Sequence, residues 1–245
     1  MPLATRIIPQ LLFRGHQLVK GVAFDSWRSV GVVSQAVRIH QARGVDEVLL
    51  LDIGATAEGR RPNVRLVEQL AEKCFMPLTV GGGVQSIDDI RQLLSHGADK
   101  VIIGSAATEN LIRKASQKFG SQAIVVSVDV AISKIGNWIL KKDEHRGVGY
   151  YSKAMEHAGA GEILLQLIDN EGKMCGYDVD LIRRISSILS IPVIASCGCG
   201  TYEHMYQAIQ AGAHAVSAGA MFQFTDQTPR GAAEYLAAKG IEVRL

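Results

Sequence analysis

Short apolar runs alternate with longer stretches of amphipathic, helix-length periodicity from one end of this chain to the other. The apolar runs predict strands near residues 5–12, 47–53, 77–81, 100–104, 123–129, 162–168, 192–196 and 214–218. Strands alternating with helices predict a parallel α/β architecture, and eight is the number that closes into a (βα)8 TIM barrel. The length suits either one α/β barrel or two small domains; the strand count favours one barrel domain spanning 1–245. The segments after the first strand ("VAFDSWRSVGVV", 22–33) and after the fifth ("VAISKIGNWILKKDEHRGVGYY", 130–151) are read as a loop and a long excursion.

The pattern also repeats. Gly44 and Gly159, Glu47 and Glu162, Pro77 and Pro192, Gly83 and Gly198, Gly97 and Gly212, and Gly104 and Gly219 all stand 115 positions apart. Shared β/α grammar explains the spacing of the glycines but not the matched Glu, the matched Pro and the absence of gaps. Two duplicated (βα)4 halves explain all of it, and any site in one half should have a counterpart across the barrel mouth.

Composition narrows the function classes. The chain has 26 Lys and Arg against 24 Asp and Glu, a net charge of +2, with no basic run long enough to follow a phosphate backbone, so nucleic acid is a poor candidate partner. No apolar stretch reaches the roughly 18 residues of a membrane span, and no secretion signal opens the chain; a cytoplasmic protein without a membrane partner is expected. Cys74, Cys175, Cys197 and Cys199 are too few and scattered for a disulfide framework. The C-x-C at 197–199 lacks a second ligand pair at metal spacing, and small residues in a tight loop are the preferred reading. Neither a metal nor a cofactor is expected.

Candidate chemistry sits after the strands. "TVGGGVQS" (79–86) follows the third and "ASCGCGTY" (195–202) the seventh, each where a helix begins. Glycine lets backbone N–H groups approach an anion, and the helix start adds its dipole. With "IIGSAAT" (102–108) and "VSAGAMF" (216–222), they make two candidate phosphate cradles: Gly82, Gly83, Gly104 and Ser105 in one half, and Ser196, Cys197, Gly198, Ala218 and Gly219 in the other. Tight turns alone could require such glycines. A two-fold set of four loops points instead to a small ligand phosphorylated at both ends.

The segments "RII" (6–8), "LVKG" (18–21), "VDEVLLLDI" (45–53), "VGGG" (80–83), "GADKV" (97–101), "FGSQAIVVSVD" (119–129), "GAGEILL" (159–165), "GYD" (176–178), "VIAS" (193–196) and the terminal "GIEVRL" resemble the cyclase subunit family of imidazole glycerol phosphate synthase. The resemblance covers nearly the whole chain. It implies a glutaminase partner docking at the N-terminal barrel face and ammonia passing up the barrel. At the mouth the ammonia attacks a bisphosphorylated ribulosyl intermediate, giving imidazole glycerol phosphate and an aminoimidazole carboxamide ribotide. A dry conduit is physically needed because ammonia in neutral water is mostly ammonium, which has no lone pair. The family's ring of entrance charges matches Arg6, Glu47, Lys100 and Glu162, although a purely structural bottom layer could look similar. Asp99 matches a position at the glutaminase interface.

The resemblance also implies two catalytic Asp residues, at the ends of the first and fifth strands, dividing the acid and base roles. Asp129 matches the second. Pairing the first strand with the fifth sets Leu12 opposite Asp129, and no acid precedes Asp25; Gln10, Arg14 and His16 are not carboxylates. Lys20 is kept and could position a phosphate or an intermediate. The mouth departs elsewhere: Gly31-Val32 replaces a Gly-Asp pair, Cys197-Gly198 a Gly pair, and Gly104 an Asn.

This combination resembles a divergent branch of the family associated with surface-polysaccharide genes. The resemblance implies work with a glutaminase homologue and a separate sugar amidotransferase that forms acetamidino sugars. Three readings follow. The leading one is an ammonia-conducting subunit for sugar amidination with Asp129 and Lys20 at its mouth. The others are a histidine-pathway cyclase with a substitute for the missing acid, and a noncatalytic scaffold that activates the glutaminase. His145 and His157 read as surface residues and Trp138 as a packing or anchoring residue. Asp52 and Asp169 could face the mouth or cap turns, and Gln166 could contact ligand.

Overall fold

The computed structural model describes residues 4–245; residues 1–3, which the single-barrel reading includes, lie outside the described residues. The first strand, β1 (Arg6–Arg14), turns into an antiparallel ribbon of β2 (Gln17–Val22) and β3 (Asp25–Val32) before α1 (Val33–Ala42). The first half continues through β4 (Val48–Asp52), α2 (Val64–Ala71), β5 (Leu78–Gly81), α3 (Ile87–Ser95), β6 (Lys100–Ile103) and α4 (Glu109–Phe119). The second half opens with β7 (Ile124–Ile132), which folds back on β8 (Trp138–Leu140), followed by α5 (Val148–His157) and β9 (Glu162–Leu167). It ends with α6 (Val179–Ser186), β10 (Val193–Ser196), α7 (Tyr202–Gln210), β11 (Ala215–Ala218), α8 (Ala220–Phe224) and α9 (Pro229–Ala238).

Parallel pairing runs through β1, β4, β5, β6, β7, β9, β10 and β11, and β11 pairs back onto β1. The result is a closed eight-stranded barrel with helices around it, the fold expected from the alternating pattern. All eight expected strands form, within a few residues of their expected ends. The differences lie after the first and fifth strands, where the expected loop and excursion form hairpins. Ala23 (φ 51°) and Phe24 (φ 58°) both take the left-handed conformation that a two-residue hairpin turn requires. Neither is glycine or asparagine, so the turn carries no sequence signature.

The two halves share local signals. Asn63 and Asp178, 115 positions apart, each accept a backbone N–H of the helix they start, from Leu66 and Leu181. Ser86 and Thr201, another matched pair, do the same for Asp89 and His204. Such caps contribute about 1 kcal/mol each.

Register settles the question about the first strand. Ile7 pairs Val216 where Ile124 pairs Val101, and Leu12 pairs Leu51 where Asp129 pairs Gln166. Leu12 and Asp129 therefore occupy equivalent places in the two halves, and Leu12 is fully buried. Inside the barrel, Ile8, Leu12, Leu49, Leu51, Ile102, Val125, Leu164, Ile194 and Ala215 form one apolar cluster. A larger cluster fills the space between strands and helices.

His40 on α1 sits in that outer layer, 4% exposed, with its ring edge-on to Phe222 of α8. Burial, and then the nearby Arg43, pulls its pKa down to about 4. A folded pKa below the unfolded value means the unfolded chain binds the extra proton, so this stability is complete above pH 6.5 and drains away as pH falls toward 4. Urea unfolding should show about 3 kcal/mol less stability at pH 4 than at pH 7 from this residue. His40→Phe should flatten that slope; an unchanged slope would assign the acid sensitivity elsewhere.

Candidate functional site at the barrel mouth

A directed hydrogen-bond chain crosses the upper barrel interior. The hydroxyls of Ser196 and Ser217 donate to Gln10 Oε1 at 2.5 and 3.2 Å, and Gln10 Nε2 donates to Gln166 Oε1 at 3.3 Å. Gln166 Nε2 donates in turn to Ser127 Oγ and to Asp129 Oδ1, both at 3.0 Å. Ser127 Oγ completes the chain with a 2.6 Å bond to the same Asp129 oxygen. These donors orient the Asp129 carboxylate through one oxygen.

Asp129 lines a cavity of about 330 Å3 with Ser127, Gln166, Gly82, Gly83, Gly104 and Ser105. The first candidate cradle and the retained acid therefore share one space. Phe24 and Trp27, from the β2–β3 ribbon, form its outer wall. On another side, Asp52 Oδ1 accepts from the backbone N–H groups of Gly54 and Ala55, and both Asp52 oxygens accept from Arg60. This fixes the loop after β4 against the cradle. Gly83 (φ +71°) is required there, since a Cβ would lie 2.5 Å from the Arg60 carbonyl oxygen. Asp52 thus caps a turn, and Asp169 accepts from Ile132 N at 2.7 Å.

A second space of about 230 Å3 adjoins the first and shares Gly104, Ser105, Ser127 and Asp129 with it. Its far wall holds Lys142 and Tyr151. Lys142 Nζ donates to Tyr151 Oη at 2.6 Å and to the Ala107 carbonyl at 2.7 Å. Burial, then Arg146, lowers the Lys142 pKa, and burial raises that of Tyr151.

The second candidate cradle is built differently. Cys197 stands at φ +74° where its counterpart Gly82 stands at +106°. A side chain in the left-handed region costs about 1–2 kcal/mol relative to glycine. The groove lined by Cys197, Gly198, Ala218 and Gly219 has only about 10 Å3 of space. Beside it, Lys20 Nζ donates to Glu171 Oε1 at 3.2 Å, with both side chains almost wholly buried. Ser196 points inward to Gln10. Burial, and next the Glu171 carboxylate, push the Cys197 thiol well above its ordinary range. Cys197 and Cys199 meet different neighbours, Ser196 for one and Thr201 and Met221 for the other. Among the described residues no three His, Cys, Asp or Glu side chains gather as metal ligands.

At the opposite end of the barrel, Arg6, Glu47, Lys100 and Glu162 form a closed square of alternating charge. Arg6 pairs with Glu47 at 2.6 Å and with Glu162 at 3.0 Å; Lys100 pairs with the same two at 3.1 and 3.0 Å. Thr79 Oγ1 also donates to Glu47. Burial opposes the Arg6 charge, but Glu162 and Glu47 together raise its pKa. Nearby on this face, exposed Asp99 accepts from Leu78 N at 2.8 Å. In the second half the matched acceptor is His214 Nδ1, taking a hydrogen bond from Val193 N at 3.3 Å.

Residues 6–228 match the histidine biosynthesis protein family. The chain belongs to that family. It is 40% identical over 252 residues, 99% of each chain, to a Campylobacter jejuni protein provisionally named imidazole glycerol phosphate synthase subunit hisF2. Against this family background, the structure brings Asp129 together with the first candidate cradle, holds Lys20 beside the second, and gathers Arg6, Glu47, Lys100 and Glu162 at the other end. No helix among the described residues is long and apolar enough to cross a membrane.

Sequence reasoning missed Glu171, Gln10's place in the interior chain, the ribbon residues Phe24 and Trp27, and the Lys142–Tyr151 wall. An acid 115 positions after Thr56 was the available signal for Glu171. His145 and His157 have no place in the mouth; Trp138 donates from Nε1 to Asp178 at 2.8 Å and anchors the β8 hairpin.

The charge square generates a stability prediction. Glu47 is 2% exposed, and removing it leaves Arg6 and Lys100 each with half their neutralisation. Glu47→Ala should cost about 3–5 kcal/mol in urea unfolding, as breaking a buried pair does. A loss below about 1 kcal/mol would place the square among exposed surface pairs instead.

Proposed function

We propose that this chain is the barrel subunit of a glutamine-dependent complex, taking ammonia from a glutaminase and delivering it for amidination of a surface-polysaccharide sugar rather than for histidine-pathway cyclisation. The observation that carries this reading is buried Leu12, in the register place equivalent to Asp129. One carboxylate cannot divide the acid and base roles with a leucine, and a proton-transfer group contributes about 10²–10⁴ in rate.

In this reading the glutaminase docks at the N-terminal face around Asp99, and Arg6, Glu47, Lys100 and Glu162 act as the entrance for ammonia. The four charges neutralise one another, so opening the square exposes no lone buried ion as long as the pairs exchange together. Above it, the Ile8, Leu49, Val125, Leu164, Ile194 and Ala215 layer offers ammonia no proton donor. The Gln10–Gln166–Asp129 chain is the first polar group it meets. Asp129 is the proton-transfer residue of the mouth, and Gly82, Gly83, Gly104 and Ser105 hold the phosphate of a small ligand. The name of the Campylobacter jejuni relative, a subunit of imidazole glycerol phosphate synthase, supports the part of this reading that makes the chain one subunit of a complex. A sugar amidotransferase would take the ammonia onward in the cytoplasm.

The test is the purified chain with its neighbouring glutaminase, supplied with the bisphosphorylated ribulosyl intermediate and ammonium salts. Imidazole glycerol phosphate should not form, and Leu12→Asp alone should not restore ordinary turnover, because the rest of the mouth has also changed. Ordinary turnover by the unaltered chain, or full recovery in the variant, would make this a histidine-pathway cyclase.

A further inference from the structure

The hairpin after β7 brings to the mouth side chains that the cradles and the interior chain leave unused. Lys141 N donates to the Asp129 carbonyl at 2.9 Å, and a turn closed by Asp143 N on the Leu140 carbonyl carries Lys142 toward the loop after β6. There Lys142 Nζ lies over the Tyr151 ring, 4.3 Å from its centroid, and donates to Tyr151 Oη and to the Ala107 carbonyl. Two donors remain on this wall. An ammonium carries three N–H groups, and these contacts use two of them. The Tyr151 hydroxyl donates at 3.2 Å to the Ala107 oxygen that Lys142 already satisfies, so turning it into the adjoining space leaves no acceptor bare.

Charge points the same way. Among the described residues neither Lys141 nor Lys142 has a carboxylate at ion-pair distance, whereas Arg146 beside them pairs with Glu109 at 2.9 Å. The side chains lining the space of about 230 Å3 therefore carry two positive charges against the one negative charge of Asp129. A single negative charge completes that lining, and a carboxylate presents two oxygens to the two donors. A phosphate, with close to two charges, exceeds it. Gly104 makes the space reachable from the first cradle. A Cβ there would meet nothing closer than Ser127 Cβ at 3.7 Å, so packing does not demand the glycine, and its missing side chain leaves the two spaces adjoining across it. On the equivalent Gly219 a Cβ would overlap Lys20 Nζ, so the matching place in the second half is filled.

We propose that the space walled by Lys142 and Tyr151 is a second ligand subsite, which holds the carboxylate of a small phosphorylated acid whose phosphate lies in the first cradle. This rests on the reading that the first cradle binds phosphate, and it makes Lys142 and Tyr151 specificity-determining residues. The ligand then spans Asp129, which lines both spaces, with one anchored end on either side of it. Its middle carbons are the part presented to ammonia arriving along the interior. Burial and Arg146 both work against the Lys142 charge, and a bound carboxylate offsets them.

Isothermal titration of the full chain with 6-phosphogluconate and sorbitol 6-phosphate, which differ only in a carboxylate or hydroxymethyl end, reads the subsite as a ratio of Kd values. The acid should bind roughly tenfold tighter, the worth of one charge-assisted contact. Lys142→Met should abolish that preference and Lys142→Glu should invert it. Tyr151→Phe, which keeps the buried ring, should lower it part-way and serves if circular dichroism shows the lysine variants unfolded. Equal binding of the two compounds by the unaltered protein would overturn the proposal and leave the phosphate cradle standing. So would a folded Lys142 variant that weakens both compounds alike, since the lysine would then serve the phosphate. Gluconate binding that Lys142→Met removes, with no binding of sorbitol 6-phosphate, would sink the cradle reading and support the carboxylate subsite. No binding of any of the three would overturn both.

Discussion

Four parallel residue pairs between β1 and β11, from Arg6 with Ala215 to Pro9 with Ala218, close the sheet, and every interior layer depends on that closure. A closed barrel has no edge strand and a fixed stagger, so each inward residue is assigned a height as well as a neighbour. Arg6, Glu47, Lys100 and Glu162 meet at one height because the stagger between neighbouring strands carries these four strand starts to the same level of the axis. The apolar layer lies above them, and the Gln10–Gln166–Asp129 chain above that. A one-residue slip in β1 would turn Arg6 and Gln10 outward into the helix layer and bring Ile7 and Leu11 inward.

The halves share a backbone plan but have parted in chemistry. Ser127, Asp129, Gln166, Ser196 and Ser217 face the interior from the second half. Their counterparts in the first are Gln10, Leu12, Leu51, Gly81 and Ile102. Polar groups gathered on one side can satisfy one another, as they do here, whereas an even distribution around the barrel would leave donors facing leucines. The open cavity follows the same division: first-half glycine loops supply its floor, and second-half polar side chains supply its chemistry.

Much of this was legible in the sequence. Strand number, alternation and the 115-residue repeat are local or periodic signals, and they determine the barrel directly. Leu12 could be matched to Asp129 because the two strands share a pattern with a definite register. The hairpins were not legible, since the turn at Ala23-Phe24 uses residues with no preference for positive φ and is held by contacts to the loop after β9. Glu171 escaped for a related reason. Its importance comes from Lys20, which lies 151 positions away and reaches it only through the ribbon. Long-range pairing of this kind leaves no period in the chain.

The bracket that ties Asp99 to Leu78, and His214 to Val193, has a consequence for recognition. A barrel made of two equivalent halves would present its N-terminal face identically after a half-turn about its axis, and a partner could dock in two orientations of equal energy. Here one bracket ends in a carboxylate. The other ends in an imidazole whose Nδ1 must be unprotonated to accept its hydrogen bond, and whose pKa is lowered by burial and by Arg6. The face is therefore electrically polar across its diameter, and this pair lifts that degeneracy together with Arg6 and Lys100, whose counterparts are Ala123 and Ala215.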